Sequence, residues 1–146
     1  QGVTVGIDYY ITDRPENNFK LTGNYSWNIL NTASDDPIIP AFNTPEHKLN
    51  GGFHGYDLVL GPIDKLGFSL NYKWVDGFQF EGYPQFTGFV PAYGMLDGQI
   101  NKQISIRDTQ MMIKLGGSNL LNNRIFQIYG GPTIGRLVYL SGLFDL

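Results

Sequence analysis

The chain has 146 residues, a formal net charge of −3 and no cysteine. A slightly acidic chain offers nucleic acid no electrostatic attraction, and the lack of thiols excludes disulfides, thiolate nucleophiles and zinc–thiolate sites. No stretch reaches about 18 consecutive apolar residues, which excludes a transmembrane helix.

Strict alternation of apolar and polar residues predicts seven β-strands, because successive side chains of a strand point to opposite faces. The predicted strands span residues 2–11, 18–28, 47 onwards, 65–74, 94–105, 109–119 and 136–146. In the second strand, Leu21 and Trp27 share one face while Lys20 and Thr22 share the other. The alternation of the third strand slips around residues 55–57, which predicts a bulge or an early turn there.

The predicted connections alternate between short and long. Short turns follow the first, third and fifth strands, and long loops span residues 29–46, 75–91 and the Asn-rich stretch before the last strand. Up-and-down barrels of the bacterial outer membrane have this arrangement, with brief periplasmic turns and extended outer loops. The pattern favours such a barrel over a soluble β-sandwich, although the composition, with 14% aromatic residues and 19 glycines, fits both.

The chemistry of the two predicted faces also favours a barrel. The polar face carries charged residues, as a water-filled lumen would, and the apolar face carries Tyr and Trp near strand ends, as an interfacial girdle would. The polar set is Asp8, Lys20, Lys73 and Lys114, and the aromatic set is Tyr25, Trp27, Tyr72 and Trp74. Lys102 falls on the predicted lipid side, so we expect its side chain to reach out of the apolar layer near the periplasmic end.

Four segments in order resemble the C-terminal third of a TonB-dependent outer-membrane receptor. They are FNTPEHKLN at residues 42–50, VPAYGMLDGQI at 90–100, GGSNLLNN at 116–123 and IYGGPTIGRLVYLSGLF at 128–144. The resemblance covers nearly the whole chain and is greatest to receptors that carry a carboxypeptidase-regulatory-like N-terminal domain. Each motif alone is a weak signal, because each is a Gly-, Asn- or Pro-rich turn beside an alternating strand.

The resemblance implies a transmembrane antiparallel up-and-down β-barrel of roughly 22 strands around a plug. Residues 1–146 would be about seven strands of its C-terminal part, with the plug and the TonB-contacting segment upstream. The implied partners are the remaining N-terminal barrel strands and plug of the same receptor, outer-membrane lipid, the TonB complex acting through the plug, and the barrel-assembly machinery. The implied location is the outer membrane of a Gram-negative bacterium, where the receptor takes up a nutrient such as a siderophore, glycan or peptide.

Outer-membrane barrels end in an apolar or aromatic row that the assembly machinery reads, and the resemblance assigns that role to Val138, Leu140, Phe144 and Leu146. Leu146 stands where Phe is commonest, and Gly142 interrupts the row. Two other functions remain open from the residues: a small self-contained outer-membrane barrel acting as adhesin or enzyme, and a soluble carbohydrate-binding β-sandwich.

The sequence predicts no enzyme, metal or cofactor. His47 and His54 are seven residues apart in one strand, so they face opposite sides and cannot share a metal ion. Asp35 and Asp36 suit either a calcium site or an ordinary solvated turn, and the turn is favoured. Ser118 and Ser141 have no assignable His or Asp partner. GGSNLLNN lacks the Lys and Ser/Thr of a phosphate-binding loop, so a turn is predicted there.

The aromatic second long loop is the only candidate for ligand contact. Its residues, with one from the last loop, are Phe78, Phe80, Tyr83, Phe86, Phe89 and Tyr129. Such rings can form a stacking platform for a sugar, siderophore or peptide. The alternative, which we favour, is that the rings pack the loops against one another or against the outer girdle.

Overall fold

The computed structural model describes residues 1–29, 44–82, 86–106 and 109–145. Within these ranges it contains nine β-strands and no α-helix. They are β1 (Gly2–Tyr10), β2 (Asn18–Asn28), β3 (His47–Leu60), β4 (Ile63–Val75), β5 (Phe78–Phe80), β6 (Gly88–Val90), β7 (Tyr93–Ile106), β8 (Thr109–Ser118) and β9 (Leu137–Asp145). No helix in the described ranges is long and apolar enough to cross a membrane.

Seven strands form one antiparallel sheet in the order β1-β2-β3-β4-β7-β8-β9. Each strand pairs with the one that follows it in this order, which is an up-and-down sheet. The predicted all-β class and the seven strands are confirmed, and the observed strand ends lie within two residues of those predicted. The sheet is not closed into a barrel: in the described part of the chain, β1 and β9 are its two edges.

The second long connection differs from the prediction, which placed a loop at residues 75–91. Within this connection, β5 pairs with β6 to form a separate hairpin. Each of these strands has three residues. So short a strand shows too little alternation to be recognised from sequence. The hairpin lies at the loop end of the sheet, which we define as the end with the long connections; the turn end carries residues 11–17 and 61–62.

The strand register places the predicted apolar residues side by side on one face. Residues directly opposite each other in neighbouring strands share a face. One row across the sheet contains Tyr9, Leu21, Phe53, Leu70, Gly98, Gly117 and Val138, and another contains Phe68, Ile100, Leu115 and Leu140. This apolar face is largely uncovered: Ile100 is 58% exposed and Leu140 73%.

The bulge predicted at residues 55–57 is confirmed. The β3–β4 register shifts between Gly55 and Leu58, and Asp57 has a φ of 52°. A cluster of three rings fills the apolar face beside the bulge. Phe53 lies edge-on to Phe68 with ring centroids 5.2 Å apart, and Phe19 stacks on Phe53 at 6.0 Å. Such pairs stabilise a fold by about 0.5–1.5 kcal/mol beyond their buried area.

Few apolar side chains are buried in the described residues. The buried apolar residues are Leu58, Val75, Val90 and Ile125. Val75 and Val90 lie where β4 leads into the hairpin and the hairpin leads into β7, and Ile125 forms an isolated bridge to Ile134 in the last long connection. The buried contacts therefore lie mainly at the loop end, where they hold the connections to the sheet, and they do not cover the apolar face.

Candidate functional site

The polar face of the sheet carries pairs of side chains that join neighbouring strands. Lys20 of β2 forms an ion pair with Asp8 of β1, with Nζ 2.8 Å from Oδ2. The same Nζ lies 5.0 Å from the centre of the Tyr10 ring, within cation–π range. The predicted positions of Asp8 and Lys20 on this face are confirmed, and their charges are mutually compensated at the β1–β2 edge of the sheet.

A chain of hydrogen bonds crosses the middle of the polar face. The His54 ring lies between two hydroxyls, with Nε2 3.3 Å from Thr22 Oγ1 and Nδ1 3.0 Å from Ser69 Oγ. Asn71 Nδ2 donates to the same Ser69 oxygen at 2.9 Å. This network links β2, β3 and β4, and it uses both ring nitrogens of His54 for protein contacts.

Asp97 of β7 connects the polar face to the last long connection. Its Oδ1 accepts a hydrogen bond from Ser118 Oγ at 2.7 Å and another from the Asn119 backbone N–H at 2.8 Å. Two donors on one carboxylate oxygen are charge-assisted bonds, which are stronger than neutral ones. The carboxylate therefore fixes the point where the chain leaves β8.

The side chain of Asn119 holds that connection together through hydrogen bonds. It is fully buried, at 0% exposure, and has a φ of 52°. Its Nδ2 donates to the carbonyls of Asn123 at 2.7 Å and Ile134 at 3.2 Å, and its Oδ1 accepts from the Asn123 N–H at 3.1 Å. The turn predicted for GGSNLLNN is confirmed, with Asn122 N–H donating to Asn119 O at 2.8 Å. Sequence reasoning assigned Asn119 no role of its own.

A groove of about 710 Å³ lies on the polar face. Polar side chains from β1, β2, β3, β4 and β7 line it: Asp8, Thr22, Asn24, Asn50, Asn71, Lys73 and Asp97. We call this the polar groove. Asn50 stands directly opposite both Asn24 and Lys73 in the register, and Asn71 stands opposite Asp97. The polar face therefore has an open groove large enough to hold a small polar solute.

Three of the candidate aromatic residues meet at the loop end. The Phe86 ring comes 2.9 Å from where a Cβ on Gly130 would lie, and Phe80 and Phe86 both flank Gly82. The Tyr129 ring lies against Gly88, whose β6 position is opposite Phe80. The hairpin and the last long connection thus pack together where the Tyr129 ring lies on Gly88 and the Phe86 ring on Gly130, and a Cβ at either glycine would lie within 3 Å of the ring.

The other candidate residues do not join this group into one platform. Phe89 lies on the opposite face of the hairpin from Phe80, near Gly77, and is 58% exposed. Phe78 shares the face of Phe80 and is half-buried opposite Val90. Tyr83 lies outside the described residues. The contacts support packing between loops for Phe86 and Tyr129, and ligand binding by these aromatic residues stays a prediction.

The candidate assembly residues of β9 lie on the apolar face. Val138, Leu140 and Phe144 stand opposite Gly117, Leu115 and Met111 of β8, and they are 62%, 73% and 63% exposed. Gly142 sits in the same row opposite Ile113 and interrupts it, as the sequence indicates. Leu146 lies outside the described residues. Recognition of this row by an assembly machinery stays a prediction.

Aromatic residues at the loop end of the apolar face bond to polar partners. Tyr25 Oη lies 2.8 Å from His47 Nδ1, and the two rings stack at 6.0 Å. Trp27 Nε1 donates to Glu46 Oε1 at 3.1 Å. Tyr and Trp with an apolar ring body and a bonded polar tip are the residues of membrane–water interfaces.

Lys102 lies on the apolar face, as predicted, between Leu66 of β4 and Ile113 of β8. Its Nζ forms an ion pair with Asp64 Oδ1 at 2.7 Å and also donates to the Asp64 carbonyl. Asp64 is the second residue of β4, beside the turn at residues 61–62. The lysine therefore reaches towards the turn end, where sequence reasoning had not identified its partner.

The described residues contain no group of three or more His, Asp or Glu side chains that could hold a metal ion. His47 stands opposite Trp27 and His54 opposite Lys20, on opposite faces as predicted. Ser118 bonds to Asp97 in a structural contact at the exit from β8. Asp35 and Asp36 lie outside the described residues.

Comparison with known proteins found no match to this chain among protein-family models, curated proteins or solved structures. Two surfaces of the described sheet bear on function: an apolar face that is uncovered and has hydrogen-bonded Tyr and Trp side chains at its loop end, and a concave polar face with hydrogen-bonded side chains.

Proposed function

We propose that the chain is part of the wall of a transmembrane β-barrel in a Gram-negative outer membrane, and that the barrel is a TonB-dependent receptor. The apolar face contacts lipid, the polar face lines the lumen, and the loop end faces the outside. The receptor takes up a nutrient such as a siderophore, glycan or peptide with energy from the TonB complex, which acts through the plug.

The uncovered apolar face is the observation that carries the membrane part of the proposal. Leaving a Val, Leu, Ile or Phe side chain in water instead of burying it forgoes about 1.5–3 kcal/mol. Ile7, Ile100, Leu140 and Phe144 are each more than half exposed, and all belong to one face of the sheet. A soluble sheet buries such a face beneath a second layer, and the described residues provide none. Lipid covers it without a second layer.

The height of the apolar face supports the same proposal. From Trp74 at the loop end of β4 to Leu66 at the turn end is eight residues, or roughly 26 Å along the strand. A strand tilt of about 40° reduces this to roughly 20 Å of depth, close to the apolar band of about 25 Å in outer-membrane barrels. The bonded rings of Tyr25 and Trp27 then lie at the outer interface, and the Asp64–Lys102 pair at the inner one.

The two unpaired edges of the sheet favour the proposal that the chain belongs to a larger barrel. Edge strands in hydrocarbon would leave unpaired N–H and C=O groups, each costing several kcal/mol. Strands β1 and β9 are edges here, so the chain needs further strands, which we assign to the remaining N-terminal barrel strands of the same receptor. The barrel-assembly machinery, reading Val138, Leu140, Phe144 and Leu146, would join these strands in the membrane.

The receptor part of the proposal is supported by the resemblance and by where its motifs lie. Residues 90–100 lead from the hairpin into β7, and residues 116–123 lead from β8 through the Asn119 turn. Both are junctions at the loop end, where the outer loops of an up-and-down barrel begin.

Two other functions are less well supported. A self-contained small barrel acting as adhesin or enzyme needs β1 to pair with β9 or a further strand, and the described sheet has neither. A soluble carbohydrate-binding β-sandwich needs a second sheet against the apolar face. The two-stranded hairpin of β5 and β6 is too small for that, since each strand has three residues.

The proposal is tested by fractionating cells that make the protein and determining the intact mass of the polypeptide that contains this sequence. We expect it in the outer-membrane fraction, soluble only with detergent, in a species several times heavier than 16.4 kDa. A species of 16.4 kDa that co-purifies with a larger barrel fragment would indicate a split receptor. A polypeptide that dissolves without detergent would refute the membrane proposal.

A further inference from the structure

The lining of the polar groove contains two charged side chains with no ion-pair partner in the described ranges, Lys73 and Asp97. Asp8 is paired with Lys20, and Asp97 accepts two hydrogen bonds at its Oδ1. Lys73, which also lines the groove, forms no ion pair with any carboxylate of the described ranges. Lys48 of β3 stands opposite Val75, so it is a diagonal neighbour of Lys73 on the same face. Lys73 and Lys48 therefore place positive charge at the loop-end side of the groove, and Asp97, whose Oδ1 is held by Ser118 and Asn119, lies diagonal to Lys73 on the side nearer the turn end.

Two side-chain amides are neighbours of Lys73, and a third lies one strand further away. Asn50 is directly opposite Lys73 and Asn24 is directly opposite Asn50, with Asn50 Nδ2 3.5 Å from Asn24 Oδ1. Asn71 precedes Lys73 by two residues and lies on the same face. Each amide carries two N–H donors. Asn50 uses one for Asn24 and Asn71 uses one for Ser69, which leaves further N–H groups for a ligand. An ammonium with several amide donors suits an oxyanion, because charge-assisted hydrogen bonds are the strong ones.

The groove has little means of binding a ligand by stacking. Tyr72 is the aromatic residue in its lining, and the Tyr72 ring lies on the apolar face against Gly94. A sugar ring or an apolar solute therefore finds no aromatic ring among the described residues of this lining, since Tyr10 and Tyr139 lie elsewhere on the polar face. Charge and hydrogen bonds then determine what binds in the groove.

We propose that the polar groove binds a small solute through a carboxylate or phosphate group, with Lys73 as the charged contact and Asn24, Asn50 and Asn71 as donors. This goes beyond the aromatic loop as the ligand site and names a substrate class. It depends on the proposed function for its setting, since the groove is then part of the receptor lumen.

The test is equilibrium dialysis of the detergent-solubilised protein against radiolabelled citrate and, separately, inorganic phosphate. We expect saturable binding of at least one anion. Lys73→Gln removes a charge-assisted contact, so its affinity should fall roughly tenfold or more, while Lys73→Arg keeps most of it. Lys114→Gln is the matched control, because Lys114 lies on the same face outside the groove, opposite Asn101 and Ser141, and should change affinity less than about twofold.

Three results would overturn the inference: no saturable binding of either anion, unchanged affinity in Lys73→Gln, or an equal loss in Lys114→Gln. Labelled sucrose is dialysed in parallel, and binding of this neutral sugar as tight as that of the anions would also overturn it. A negative dialysis result does not change the outcome of the fractionation test. A protein that dissolves without detergent and still binds citrate through Lys73 would refute the proposed membrane function and leave the anion site standing.

Discussion

Replacing Asn119 by alanine should destabilise the last long connection more than any other single polar substitution in it. The change removes three side-chain hydrogen bonds, to Asn123 O, Ile134 O and Asn123 N–H, at a position with 0% exposure. Each bond contributes about 0.5–1.5 kcal/mol net, and buried groups left without partners raise the cost. Alanine is also strained at a φ of 52°, by about 1 kcal/mol. The expected loss is about 3–4 kcal/mol.

Two measurements check this value: the denaturant midpoint of the protein refolded in lipid vesicles, and the rate of protease cleavage within residues 120–135. Asn119→Gly removes the side-chain bonds without the backbone strain, so it should recover about 1 kcal/mol relative to alanine. Gln127→Ala is the matched control, because Gln127 is exposed in the same connection, and it should stay within about 0.5 kcal/mol. If Asn119→Ala lowers the free energy of unfolding by less than about 1 kcal/mol and leaves the cleavage rate unchanged, Asn119 does not hold the connection together.

Three further predictions concern the apolar face. Ile100→Arg should destabilise the protein in bilayers by about 2–4 kcal/mol and Gln99→Arg by less than about 1 kcal/mol, and equal effects in vesicle unfolding would argue against lipid at Ile100. Gly55→Ala places a methyl group against the Phe68 ring and should lower the free energy of unfolding by about 1–3 kcal/mol, whereas Gly51→Ala, with nothing within 4 Å, should lower it by under about 1 kcal/mol. The same unfolding assay compares the two variants, and a larger loss of stability in Gly51→Ala would contradict the packing at the bulge. Lys102→Met should lower the melting temperature more than the double variant Lys102→Met, Asp64→Asn does, because the single change leaves Asp64 at the apolar boundary without its cation. A double variant less stable than the single variant would show that Lys102 does not compensate the charge of Asp64.

The sequence predicts the strands of the sheet well, because the alternation of apolar and polar residues lies within each strand. In Asn18–Asn28 the alternation runs without interruption, and both ends of β2 were predicted to the residue. The slip at residues 55–57 identified the bulge for the same reason, since one extra residue exchanges the two faces.

The parts that were not predicted depend on contacts distant in sequence. Asn119 is buried because Asp97 and Ile134, 22 and 15 residues away, hold it from two sides. Lys102 appeared isolated because its partner Asp64 lies 38 residues earlier. The alternation left open whether the aromatic residues of the second loop form one platform, and the pairing of β5 with β6 places Phe89 on the opposite face from Phe80.

The most direct test of the membrane face is a spin label on neighbouring residues of β9, in the protein reconstituted in bilayers. The chain has no cysteine, so Leu140→Cys and Ser141→Cys place the label at one position on each face. Relaxation by dissolved oxygen reports lipid, and relaxation by a water-soluble nickel chelate reports water. We expect the label at position 140 to be relaxed by oxygen and shielded from nickel, and the label at position 141 to be relaxed by nickel. A label at position 140 that nickel relaxes, or that both reagents fail to reach because a second sheet covers it, would contradict the account.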